Sequence, residues 1–170
     1  MRRVFCALLL ALTYAASVSP QPVVAANSLE EAEFAYERGE YTQAARLFSP
    51  LAEQGVASAQ FYLGLMHEKG RGVRQDNPTA LAWFRKAAAQ GYAGPQSNLG
   101  LMYERGRGVR KDVVRALMWY HIAGAMLKGD EGNAAVKRRD YLTSHMTTEQ
   151  IEQAQEMARR CQQSQFKQCD

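Results

Sequence analysis

Apolar positions recur along this chain at helical spacing, and the pattern itself then returns. The order of apolar, glycine and charged residues from Ala57 to Gly91 is repeated from Ala93 to Leu127, an offset of 36 residues with 18 identities in 35 aligned positions. Leu63 falls on Leu99, Asp76 on Asp112, Ala80 on Ala116, Trp83 on Trp119 and Ala87 on Ala123. A self-match at a period of about 20–50 residues marks a repeat array, whose units bury their apolar faces only by stacking on one another.

Each copy reads as a pair of helices. In the first, Ala57 to Lys69 is helix A, with Ala59, Leu63, Gly64 and Met66/His67 on its inner face. Gly64 carries no Cβ and lets a neighbouring helix come close. Gly70-Arg-Gly72 makes the turn, with Val73 tucked beneath it. Asn77-Pro78 starts helix B, the proline standing where no N–H donor is needed. Ala80, Trp83, Phe84, Ala87 and Ala88 form the expected buried stripe, and Gly91 ends the helix. The second copy runs from Ala93 to about Leu127, with Asp112 placed to cap its helix B and Trp119-Tyr120 repeating the aromatic pair.

The flanks are looser versions of the same pattern. Ser28 with Glu31 makes a capping box, which predicts a helix from there to Gly39. Tyr41 to Gln54 is a second helix, with Ala44, Ala45, Phe48 and Leu51 inward and Gly55 as its stop. Downstream, Lys128-Gly129-Asp130 reads as a turn and Asn133 to about Ser144 as a helix. Thr147 and Gln150 form another capping box that opens a final helix to about Gln163, with Ile151, Ala154, Met157, Ala158 and Cys161 inward. The expected organisation is residues 1–26 as an export signal, 27–56 as a divergent N-terminal helix pair, 57–127 as two full repeats, and 128–170 as C-terminal capping helices and tail. The fold class is all-α, with about eight helices and no strand.

The start of the chain departs from helical periodicity. Arg2-Arg3 precedes an apolar run from Val4 to Leu12, Pro20 and Pro22 break it, and Val24-Ala25-Ala26 offers small residues for cleavage. This is a secretory signal peptide in form. Its apolar core is too short for about 30 Å of hydrocarbon, so the mature chain is expected to have no membrane span. The signal removes Arg2 and Arg3 and no acid, so the balance of +4 falls to +2. A chain that close to neutrality, with no polybasic run, is not built for nucleic acid. Cys161 and Cys169 are the cysteines that remain. In an oxidising compartment they are a candidate disulfide, with two free thiols or an intermolecular bond as alternatives.

The paired units resemble the Sel1-like repeat, a relative of the tetratricopeptide repeat. The resemblance rests on Ala-x-x-x-Leu-Gly-x-Met-(His/Tyr), Gly-x-Gly-Val, the aspartate, and Ala-x-x-Trp-(Phe/Tyr)-x-x-Ala, carried whole over residues 57–127. It implies a right-handed α-solenoid of antiparallel helix pairs, and an exported, periplasmic or secreted adaptor that scaffolds other proteins without catalysing a reaction.

Few residues offer chemistry of their own. His67, His121 and His145 are scattered without metal-ligand spacing, and Gly70-Arg-Gly72 follows a helix and lacks the ending of a phosphate loop. No metal and no cofactor are expected. Ser164-Gln-Phe-Lys167 spells a Ser-x-x-Lys motif alone in a polar tail, whereas a penicillin-recognising enzyme needs it at a helix start with partner motifs. A penicillin-binding role is therefore an alternative by resemblance only: cysteine-rich relatives linked to it carry cysteines within each repeat, and these repeats have none.

Two surfaces remain. By analogy with tetratricopeptide geometry, residues beside Leu-Gly project into the concave face: Phe61, Leu65, Glu68 and Lys69, then Ser97, Leu101, Glu104 and Arg105, with Phe34, Glu37 and Arg38 in the first unit. An apolar floor with charged rims suits an extended peptide or helix of a periplasmic or envelope protein. Along the loop edge, Arg71 and Arg74 stand in register with Arg107 and Arg110. That row is a solvated edge or a grip for carboxylates and anionic cell-wall glycans.

Overall fold

Glycines set the spacing of this molecule. The computed structural model describes residues 22–169, and its described residues form eight helices: α1 Pro22–Glu37, α2 Tyr41–Glu53, α3 Ala57–Lys69, α4 Asn77–Ala88, α5 Ala93–Arg105, α6 Val113–Met126, α7 Gly129–Thr143 and α8 Thr148–Gln163. Each helix from α1 to α6 packs on the next, which makes the chain an all-α solenoid. Within each repeat the Leu-Gly glycine faces the aromatic of helix B. A Cβ built on Gly64 would stand 2.5 Å from the Phe84 ring, and one on Gly100 would stand 2.7 Å from Tyr120. Between units the second glycine of Gly-x-Gly seats the turn on the start of the preceding helix B. Gly72 abuts the backbone of Tyr41 and Thr42, and Gly108 abuts that of Asn77 and Pro78.

The core falls into two clusters. Ala32, Ala35, Ala44, Phe48, Leu51, Ala59, Leu63 and Met66 form the first. Phe84, Leu99, Met102, Tyr103, Leu117, Trp119, Tyr120 and Ile122 lead the second. Helix α3 serves both, because Leu63 and Met66 face the first cluster while Phe61 and Leu65 pack on the second.

The structure moves several expected features. Helix α1 starts at Pro22 rather than Ser28, so the Ser28–Glu31 pair lies within the helix and not at its start. Val23 to Ala26 continue the helix, with Pro22 in its tolerated first-turn position. Helix α7 begins at Gly129, where a turn was expected, and Asp130 and Glu131 lie in its first turn; acids there favour the positive helix end. Trp83 is only partly buried, with the Lys86 ammonium 4.1 Å from its ring centre, and Leu81 takes the buried place.

The last two helices do not form a pair of the repeat type. Both α7 and α8 pack on α6. Helix α6 is apolar around most of its circumference, with Ala116 to Tyr120, Ile122 and Ala123 buried, and such a helix needs neighbours on several sides. The expected starts elsewhere hold. Asp112 caps α6 by accepting from the Val114 and Arg115 N–H groups, and Thr147 with Gln150 closes a capping box on α8. Cys161 and Cys169 are joined by a disulfide, so the free-thiol alternatives fall away.

Candidate functional site

Aromatic residues meet where one unit joins the next. Phe61, on α3, lies 5.6 Å from Tyr92 and 6.0 Å from Phe84, ring centre to ring centre. Tyr62 stacks on Phe48 at 4.7 Å. Burial raises the pKa of the Tyr62 phenol, and the carboxylates of Glu33 and Glu37 raise it further. Tyr92 is raised in the same way, first by burial and then by Glu33 and Glu131. The rings of Phe61, Tyr62 and Tyr92 thus form one contact chain, and Glu33, Glu37 and Glu131 act on its phenols through their charge. Phe34 stands beside it 59% exposed, with the Arg38 guanidinium over its ring.

The sequence singled out only part of this cluster. Tyr62, Tyr92, Glu33 and Glu131 were not among its candidates. Tyr92 carries one local signal: it follows Gly91, whose positive φ of 77° bends the chain there, and its ring meets that of Phe61. Leu65, Ser97 and Leu101 are half-buried, and Glu37, Arg38, Lys69 and Arg105 are exposed.

Glu68 and Glu104 occupy a different place from the open rim expected of them. Glu68 is 5% exposed and pairs with Arg107 of the next unit at 3.5 Å and with Lys69 at 3.4 Å. Glu104 accepts from the Tyr120 hydroxyl at 2.7 Å and pairs with Arg138 of α7 at 3.0 Å. Burial and that carboxylate hold the Tyr120 phenol protonated well above its ordinary range. The two glutamates join unit to unit.

The arginine row is likewise divided. Arg71 donates to the Tyr36 hydroxyl at 3.1 Å and lies over the Tyr41 ring, and Arg107 holds Glu68. Arg74 and Arg110 are exposed. Ser164 ends α8 rather than starting a helix; its Oγ donates to the Cys161 carbonyl and accepts from the Gln168 N–H. His121 is held below its usual pKa by burial and by Arg139. Among the described residues no group of three His, Cys, Asp or Glu side chains could hold a metal ion.

The family model of the Sel1 repeat matches residues 57–92 and 96–126. These two units are Sel1 repeats. Among solved structures, a protective antigen present in uropathogenic Escherichia coli strains and displaying an SLR fold is similar at 28% identity and a TM-score of 0.75. This chain covers 31% of that protein, with 84% of its own length aligned. A Sel1 repeat protein from Oxalobacter formigenes is similar at 33% identity and a TM-score of 0.63, over 69% of this chain and 46% of that one. The chain thus spans less than half the length of either. No curated protein matches it. In the Sel1 repeats, the Gly-x-Gly turn and the glutamate before it are the parts that join units.

Glu33 gives the aromatic cluster a measurable signature. Burial, then Glu37 and Glu30, raise its pKa. The folded state therefore binds this proton more tightly than the unfolded chain, and stability falls as pH rises through the carboxylate range. Glu33→Gln is expected to raise the melting temperature at neutral pH by a small amount, and the gap should close as pH falls below the carboxylate range, where Glu33 is protonated in the folded and the unfolded chain alike. A variant that melts lower than wild type at neutral pH would contradict the assignment.

Proposed function

We propose that this chain is an exported, non-enzymatic adaptor that binds an extended segment of another protein along its inner face. One observation carries the reading: an aromatic surface of Phe61, Tyr62 and Tyr92 bordered by Glu33, Glu37 and Glu131. Apolar anchors of a partner would rest on the rings, and lysine or arginine beside them would meet the acids. Its Sel1 repeats fit a protein-interaction scaffold. Export is supported by the disulfide and by the form of residues 1–26. Of that segment, residues 1–21 lie outside the described residues, and cleavage after Ala26 would shorten α1. Among the described residues no helix is long and apolar enough to cross a membrane. Residues 27–56 would then open the mature stack and 128–170 would close it.

The test is capture of a partner from periplasmic extract by wild type, by Leu65→Asp with Leu101→Asp, and by Phe34→Ala with Tyr92→Ala. The second pair alters exposed rings and guards against a variant that fails to fold. Capture is expected to fall at least about tenfold in both, a loss of about 1.4 kcal/mol. Equal capture by folded variants would overturn the groove assignment.

A further inference from the structure

The turn after α4 closes on a glycine. Gly91 stands in the left-handed region at φ 77°, and its N–H donates to the Ala88 carbonyl. The next N–H, that of Tyr92, donates to the Ala87 carbonyl. Such a closure ends the helix and sets the direction of the residue after the glycine. Here that residue is the tyrosine whose ring lies 5.6 Å from Phe61.

The same turn occurs one unit earlier, after α2. Gly55 has φ 93°, and the Gly55 and Val56 N–H groups donate to the carbonyls of Ala52 and Leu51. The two turns share a backbone and differ in what lies against them. A Cβ built on Gly55 would meet nothing within 4 Å, whereas one on Gly91 would stand 3.3 Å from the Phe166 ring. They also differ in the residue they aim. Val56 packs on the first core cluster, which holds it. Tyr92 is 37% exposed, and the turn that carries it is the one with a ring against its glycine.

Phe166 is itself held. Gln165 and Phe166 both have positive φ, 54° and 65°, a backbone that residues with side chains keep where their surroundings impose it. The Cys161–Cys169 disulfide closes this loop, and the Phe166 N–H donates to the Cys161 carbonyl. Ser164 Oγ accepts from the Gln168 N–H, and the Phe166 and Cys169 side chains pack on the second core cluster. A ring fixed in this way is a rigid support.

We propose that Phe166 is a positioning residue of the inner face: the disulfide loop braces the Gly91 turn and so holds Tyr92 against Phe61, where the partner meets it. The proposal rests on the inner-face reading above, and Phe166 acts through Tyr92. The C-terminal loop thereby shapes a surface built by the repeats.

The test compares the full chain as wild type, Phe166→Leu, Phe166→Ala, and Cys161→Ala with Cys169→Ala. Phe166→Ala alters a half-buried ring and keeps the disulfide, so the proposal stays testable if the cysteine pair fails to fold. The first readout needs no partner: the nuclear Overhauser contact between the Tyr92 and Phe61 ring protons. It should persist in wild type and Phe166→Leu and be lost in Phe166→Ala and the cysteine variant. The second is capture from periplasmic extract, which should fall about two- to tenfold in those last two and hold in Phe166→Leu. An undiminished ring contact in folded Phe166→Ala overturns the proposal. So does unchanged capture by Phe166→Ala when Phe34→Ala with Tyr92→Ala lowers it. If that pair leaves capture unchanged, the inner-face reading fails, and the ring contact alone decides whether the loop braces Tyr92.

Discussion

Phe84→Ala is expected to cost about 3–5 kcal/mol of folding stability, read as a lower urea midpoint at unchanged slope. The ring is fully buried and closes the space left by the glycine of helix α3. Gly64, directly opposite, has no side chain to move into the void, and the nearest α3 ring, Phe61, has its centre 6.0 Å from that of Phe84. A companion change tests the same contact with opposite signs. Gly64→Ala in the wild-type chain would put a Cβ 2.5 Å from a Phe84 ring carbon, and overpacking of this kind typically costs about 1–3 kcal/mol. In the Phe84→Ala background that methyl enters the vacated space and replaces a helical glycine, so the same change should restore about 1 kcal/mol. A double-mutant cycle with no coupling between the two positions would show that the glycine does not exist for this ring.

Gly108→Ala is expected to cost about 2–4 kcal/mol, from two separable sources. Its φ of 69° lies in the left-handed region, which any side chain enters at a cost. The added Cβ would also meet the carbonyl of Asn77 at 2.5 Å, a backbone group that cannot swing aside. Two other glycines separate these sources. Gly39 shares the positive φ with nothing within 4 Å, and Gly106 meets only the Lys111 Cβ and neighbouring backbone at 3.3 Å or more. Alanine at Gly39 should therefore cost about 1 kcal/mol, Gly106 slightly more, and Gly108 the most. Equal losses at Gly39 and Gly108 in chemical denaturation would mean that docking on the preceding helix contributes nothing.

The helix pairs were legible because periodicity and a duplicated motif report backbone geometry directly. Leu63-Gly64 and Leu99-Gly100 announce close approach, and Asp112 announces a helix start. What a charged side chain touches is written nowhere near it in the chain. Glu68 and Glu104 looked like rim residues because their helix positions suit a rim, yet their partners Arg107 and Arg138 lie 39 and 34 residues away. Trp83 and Trp119 share a register position but not a fate: Trp119 lies beneath α8 and the C-terminal loop, while Trp83 packs on the first core cluster. Local pattern also could not place α8, whose Ala154, Ala158 and Cys161 stripe fits any apolar partner. It lies on α6 because α6 has apolar surface left to cover. Tyr92 was missed for a related reason: it lies in a turn, where no period marks the inward side.

The seam between units has the property of a translation that can be applied again. Gly72 sits on the start of α2 as Gly108 sits on the start of α4, and Glu68 holds the cation of the unit ahead much as Glu104 does. Each unit thus presents at its leading edge the socket that its own trailing edge fills. Nothing in such a joint counts how many times it has been used. The length of the molecule is therefore a free parameter of the architecture, set by where the terminal helices stop it. An inserted 36-residue copy would lengthen the inner face by one step without redesign of either neighbour.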